Sequence, residues 1–163
     1  PWILHVFFDK NKARAHYEEF TFVQRFGWGK RKASFFAGMI SPFVAKLISS
    51  SGGIPVYRDS AKTIITIKQT LKGLKEGDQF IIFPDVAYAD NSANVGILYD
   101  GFLSLDRFYY KENQKHIPFI PLALDLKKHL LKIGTPVLFT GELSFDEEKE
   151  QVVQELVRQM NTL

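Results

Sequence analysis

Arg58 and Asp85 are the residues whose type and placement first suggest chemistry. Each follows a short apolar run, Ile54-Pro55-Val56-Tyr57 and Phe80-Ile81-Ile82-Phe83-Pro84. A helix-like stretch separates the two runs and ends at Glu76-Gly77. Strand, helix, strand in that order is one right-handed βαβ unit. Open α/β sheets take ligands just beyond the carboxyl ends of their strands, which is where both residues fall. A guanidinium there can hold an anion such as a phosphate by charge-assisted hydrogen bonds. No His/Asp/Glu cluster has metal-ligand spacing, and the chain contains no cysteine, so thiolate metal sites and disulfides are excluded.

The elements that must position these residues can be read along the chain. Pro1 to Phe8 is nearly all apolar and predicts a buried strand. Asp9 to Phe26 predicts a helix with Ala13, Tyr17, Phe20 and Val23 near one face. Gly27-Trp28-Gly29-Lys30-Arg31-Lys32 breaks it, and a Trp beside three cations suits either a membrane interface or packing under a loop. Ala33 to Ser50 has helical apolar spacing at Phe36, Ile40, Phe43 and Leu47, with Pro42 expected to end one helix or open another. After the Ser49–Gly53 loop come the Ile54–Tyr57 strand, Arg58, and a cap at Asp59 or Ser60. The next helix carries Ala61, Ile64, Ile67, Leu71 and Leu74 on one stripe and stops at Gly77. Phe80–Phe83 predicts a strand, 86–96 a long polar loop, Asp100–Tyr110 a helix and Ile117–Leu124 a strand. Lys127–Ile133 and Pro136–Phe139 suggest a hairpin or two edge strands. Ser144–Met160 predicts a helix with Asp146, Glu147 and Glu148 in its first turn, where the dipole favours acids.

The whole reads as one α/β domain over 1–163, with a mostly parallel central sheet flanked by helices. A chain of 163 residues with 45% apolar and 24% charged residues is ordinary for a soluble fold. No run of eighteen apolar residues is present, which argues against a bilayer span. The net charge of +3 is unevenly placed. Residues 1–82 hold 13 Lys/Arg against 6 Asp/Glu, and residues 83–163 hold 8 against 12. The basic half contains Arg58, and its field favours a phosphate ester, coenzyme A or an anionic membrane surface.

The order Gly53-Ile54-Pro55-Val56-Tyr57-Arg58, helix, Phe83-Pro84-Asp85, and then His116-Ile117-Pro118-Phe119-Ile120-Pro121 resembles three sequence blocks of the glycerolphosphate acyltransferase superfamily, the lysophosphatidic-acid acyltransferase type. The resemblance covers roughly residues 34–124 and implies that family's α/β fold, N-terminally incomplete here. It implies transfer of an acyl group from acyl-coenzyme A or acyl carrier protein to a hydroxyl of a (lyso)glycerophosphate, with no further cofactor. It also implies peripheral placement at the cytoplasmic side of a membrane, with anchoring in a longer parent possible. Arg58 then matches the phosphate-binding arginine, with Lys62 beside it. Phe83, Pro84 and Asp85 match Phe-Pro-Glu, Gly101 the glycine beyond it, and Pro118 and Pro121 the paired prolines. Asp85 stands for Glu, and Val86 stands where the family has Gly.

The family's Asn-His-x4-Asp block, source of its general base, is not found. His16 lies at a suitable distance before Arg58 and is the candidate base. His5, with Asp9 at spacing x3 where the block has x4, is the weaker one, and the pair is otherwise expected upstream of Pro1. His116 and His129 read as solvent or strand-end histidines. Two alternatives stand beside this reading: a non-catalytic lipid- or phosphate-binding relative, and an unrelated phosphate- or nucleic-acid-binding domain. No groove-reading motif supports nucleic acid, and none is expected as a partner.

Overall fold

Trp2-Ile3-Leu4 forms strand β1 (Trp2–Leu4) in a computed structural model that describes residues 1–57, 60–84, 95–125 and 128–163. The fold is mixed α/β, with helices dominating and short strands in two small sheets. The described residues fall into two compact units, Pro1–Ile82 and Phe83–Leu163.

In the first unit, β1 pairs in parallel with β2 (Ile54–Val56), Trp2 opposite Ile54 and Leu4 opposite Val56. The crossover is helical: a 3-10 turn His5–Phe8, α1 (Lys10–His16), a π-helix Tyr17–Arg25, and α2 (Lys30–Ser50). The π-helical register turns Phe22 inward, where it packs with Ala33 and Ala37. α2 runs unbroken through Pro42, contrary to the expected stop. The proline removes one backbone hydrogen bond, at the Gly38 carbonyl, and α2 continues through that gap packed against α1.

α3 (Ser60–Lys75) lies on the β1–β2 pair, but not on the stripe the apolar pattern suggests. Ile64 is exposed, while Thr66 and Thr70 are buried beside Ile67 and Leu71. The threonines go inside because their hydroxyls are satisfied there. Thr66 Oγ1 donates to the Pro55 carbonyl at 2.7 Å, and Thr70 Oγ1 accepts from the Trp2 indole at 2.9 Å. Gly77 ends the helix in the left-handed region at φ 90°, as expected.

Phe80–Phe83 is not a regular strand, and among the described residues its ladder bond is to β1: the Trp2 amide donates to the Ile81 carbonyl at 3.0 Å. β1 therefore has β2 on one edge and Ile81 on the other. The large parallel sheet expected from the sequence is not shown; among the described residues one parallel pair carries that topology.

In the second unit, a 3-10 turn Asp100–Leu103 leads into α4 (Ser104–Asn113). β3 (Leu122–Asp125) pairs antiparallel with β4 (Leu130–Ile133), Leu122 opposite Ile133. The hairpin thus precedes Gly134, whereas the sequence suggested one centred there. Val137 instead bridges back to Phe119. α5 (Phe145–Thr162) closes the unit over Leu103, Phe119, Val137 and Phe139, burying Val152 and Leu156. A capping box starts it: Ser144 accepts from the Glu147 amide, and the Glu147 carboxylate accepts from the Ser144 amide.

Candidate functional site

β1 and β2 run in parallel, so their carboxyl ends lie side by side, and the residues that follow them meet there. His5 opens the turn after β1 and Tyr57 follows β2. The two rings stack at 4.8 Å between centroids, with 25° between planes. His5 Nδ1 lies 3.2 Å from the Val56 carbonyl oxygen. A carbonyl only accepts, so the contact requires the proton on Nδ1, which in the neutral ring leaves Nε2 as the bare nitrogen. The Lys62 ammonium lies 5.9 Å from the centre of the Tyr57 ring. Thr63 Oγ1 donates to the Tyr57 carbonyl at 3.0 Å and fixes the start of α3 against the strand end.

This half-buried imidazole, phenol and exposed ammonium form the site's described part. A tautomer-fixed imidazole can take a proton, and an ammonium can hold an anion. Arg58 and Asp59 lie outside the described residues, as do Asp85, Val86 and the loop to 94. Asp9 is not a partner for His5 in the manner of a dyad. Its Oδ1 accepts from the amides of Asn11 and Lys12, at 2.8 and 3.0 Å, and caps α1. Those two amide bonds, Lys12 first, hold its carboxyl below the usual range.

His16 stands elsewhere, among rings. Phe7 meets it edge-on at 5.0 Å, and Phe20 stacks at 5.3 Å. Its described surroundings are those of a histidine packed in an aromatic cluster. The signal that could have singled out His5 instead is topological, since a residue ending the strand parallel to β2 must arrive beside the residue ending β2.

The remaining sequence candidates belong to the second unit. Phe83 is exposed, and the Pro84 carbonyl accepts from the Tyr99 amide at 2.7 Å. Gly101 lies in the 3-10 turn with open space where a side chain would start. Pro118 is exposed, whereas Pro121 is fully buried and its carbonyl accepts from the Gly134 amide at 2.9 Å. The paired prolines therefore differ in role, one at the surface and one in the core.

The same unit holds a polar pair that sequence spacing does not announce. Asp106 is only 2% exposed. Its Oδ2 lies 2.8 Å from His116 Nδ1, and its Oδ1 accepts from the Ile117 amide at 2.7 Å. The His116 ring stacks on Tyr110 at 4.3 Å. Both carboxylate oxygens are engaged in joining the 116–117 segment to α4, so the pair reads as a clamp. A cavity of about 170 Å³ between α5 and 137–140 is lined by Glu148 and Glu155, whose charges would repel a phosphate ester. Among the described residues no group of three or more His, Asp or Glu is arranged to hold a metal ion.

No protein-family model, no curated protein and no solved structure matches this chain.

Proposed function

We propose that the chain carries an acyl-transfer site at the carboxyl ends of β1 and β2, with His5 as general base. The supporting observation is the fixed imidazole: Nδ1–H held by the Val56 carbonyl and the ring stacked on Tyr57, the same ring that the Lys62 ammonium approaches. The acceptor is a (lyso)glycerophosphate and the donor an acyl thioester of coenzyme A or acyl carrier protein. This rests on the resemblance of the three sequence blocks and on the basic first half of the chain.

In this reading Lys62 and Arg58 hold the acceptor's phosphate. His5 Nε2 removes the proton from the acceptor hydroxyl as its oxygen attacks the thioester carbonyl. The tetrahedral intermediate collapses with cleavage of the carbon–sulfur bond, and the proton on Nε2 passes to the departing thiolate. Ester and thiol leave, and the imidazole returns to its starting tautomer.

The test is acyl transfer by the full chain, with a radiolabelled acyl thioester and either glycerol 3-phosphate or lysophosphatidate. H5Q should lower kcat by about 10²–10⁴-fold, the span of a lost general base. H16A should leave kcat within a few-fold. K62A and R58A should raise KM for the phosphate-bearing acceptor more than KM for the donor. Loss with H16A but not H5Q would transfer the base to His16. Binding of lysophosphatidate with no turnover would leave a non-catalytic lipid-binding relative as the answer.

A further inference from the structure

α2 turns its small residues inward and its large apolar residues outward. Ala33, Ala37, Ser41 and Ala45 form the buried stripe, against α1 and the π-helix. Phe35 and Phe43 are each 68% exposed, and Met39 and Leu47 are more than half exposed. These four follow one another at four-residue steps and so share one broad face. A core helix would bury such residues, since fully covering one Phe or Leu stabilises by roughly 2–3 kcal/mol.

The charges on α2 are all of one sign. Lys30, Arg31 and Lys32 occupy its first turn and Lys46 its last part, and the helix contains no carboxylate. Cations at a helix N-terminus oppose the macrodipole, so helix stability does not account for them. An anionic surface would. Arg31, Lys32 and Lys46 are exposed, and at 100° per residue they fall on the arc that carries Phe35, Met39 and Phe43. Phe26, just before α2, is exposed as well. Trp28 is not the anchor that its neighbours in sequence suggest. It is half-buried, stacked on Phe22 at 4.8 Å, with the Lys32 ammonium 4.1 Å from its ring centre.

We propose that α2 docks in the plane of an anionic lipid leaflet, with Phe35, Met39, Phe43 and Leu47 in the acyl boundary and Arg31, Lys32 and Lys46 on the headgroup phosphates. Length and composition alone would let the helix cross a bilayer. The inward stripe argues for lying flat. α1 packs along that stripe with exposed Lys10, Lys12 and Arg14, and the Arg14 guanidinium donates to Ser34 Oγ at 3.1 Å. A spanning α2 would take those cations into hydrocarbon or give up its packing. The proposal is independent of the acyl-transfer reading, since it requires no catalytic residue.

The experiment is flotation of the full chain with vesicles of phosphatidylcholine alone and of phosphatidylcholine with phosphatidylglycerol, at low and high salt. Binding should need the anionic lipid and weaken with salt. F35S/F43S should weaken it at least about tenfold through lost apolar burial. K30Q/R31Q/K32Q should weaken it on the order of a hundredfold. I97S, which alters an exposed apolar side chain in the other unit, should leave it unchanged. Circular dichroism of each variant should match the parent, because every substituted side chain is exposed. No binding to the anionic vesicles, or binding that F35S/F43S leaves intact, overturns the proposal. So does retention on the vesicles after alkaline carbonate washing, which would mean a span. A dimer in solution that F35S/F43S dissolves, without vesicle binding, would assign the face to a second copy of this chain.

Discussion

At Asp106, one buried carboxylate holds the His116 ring and the Ile117 amide together. Removing it leaves a half-buried amide and a ring nitrogen without their partner, a loss of about 1–3 kcal/mol. D106A should therefore lower the denaturant midpoint clearly, and D106N, which keeps an acceptor for the Ile117 amide, should recover part of the loss. Equal midpoints for D106A and the parent would show the clamp to be idle. Ten residues separate the pair in sequence, which is no helical interval, so its partnership cannot be read from spacing. Gln114 makes it possible: in the left-handed region at φ 53°, it ends α4 and sends the chain back along the helix towards Asp106. His5 is hidden for a related reason. The apolar run from Pro1 to Phe8 carries no mark of the turn that starts at its fifth residue, so the sequence offers one strand there. The start of α3 near Ser60 was legible, because a capping residue follows the apolar strand there and the lysines fall off the helix's apolar stripe.

Among the elements, α5 shows how an acid can do more than the helix dipole requires. Glu148 falls in the first turn, as its sequence position indicates. Its carboxylate also accepts from the amides of Thr140, Gly141, Glu142 and Leu143 and from the Thr140 hydroxyl. Burial pushes its pKa up, but the Thr140 hydroxyl and the amides of Gly141, Leu143 and Thr140 outweigh this and bring it down from 4.5 to about 2. A carboxyl with a depressed folded-state pKa contributes stability that is complete above its unfolded value and lost as protons bind. The contribution should thus fade between about pH 4.5 and 2. Acid titration of the unfolding midpoint should show that slope in the parent and lose it in E148Q. At neutral pH, E148A should cost roughly 2–3 kcal/mol through the unpaired amides of 140–143. A slope unchanged in E148Q would mean other carboxylates set the acid limit. Helix existence was legible from periodicity throughout, whereas two faces were not. Thr66 and Thr70 enter the core because backbone and indole partners wait there, and no hydrophobic pattern records a partner.

For the whole molecule, the division of charge follows the division of structure. The excess of cations lies in residues 1–82 and the excess of acids in 83–163, the bounds of the two units. Mixed α/β character and the helices follow from the sequence pattern, whereas the parallel pair that forms is β1–β2 and not Ile54–Tyr57 with Phe80–Phe83. A wide central sheet does not form from it, because strand-like runs such as Phe80–Phe83 contribute single bonds and Leu122–Ile133 folds on itself as a hairpin. The β1–β2 pair also sets an order of events in time. Trp2 must wait for Ile54, about fifty residues behind it, and at ribosomal speed that is roughly 3–10 s. The helices between them close contacts over much shorter separations and form in microseconds. Folding of the first unit should begin in the α1–α2 pair and finish at its N-terminal strand. Burial of the Trp2 indole against Thr70 is then the last optical change in refolding, and a W2F variant should lack that slow phase while keeping the fast gain of helix. A Trp2 signal that rises together with the helical signal would show that the parallel pair zips up early.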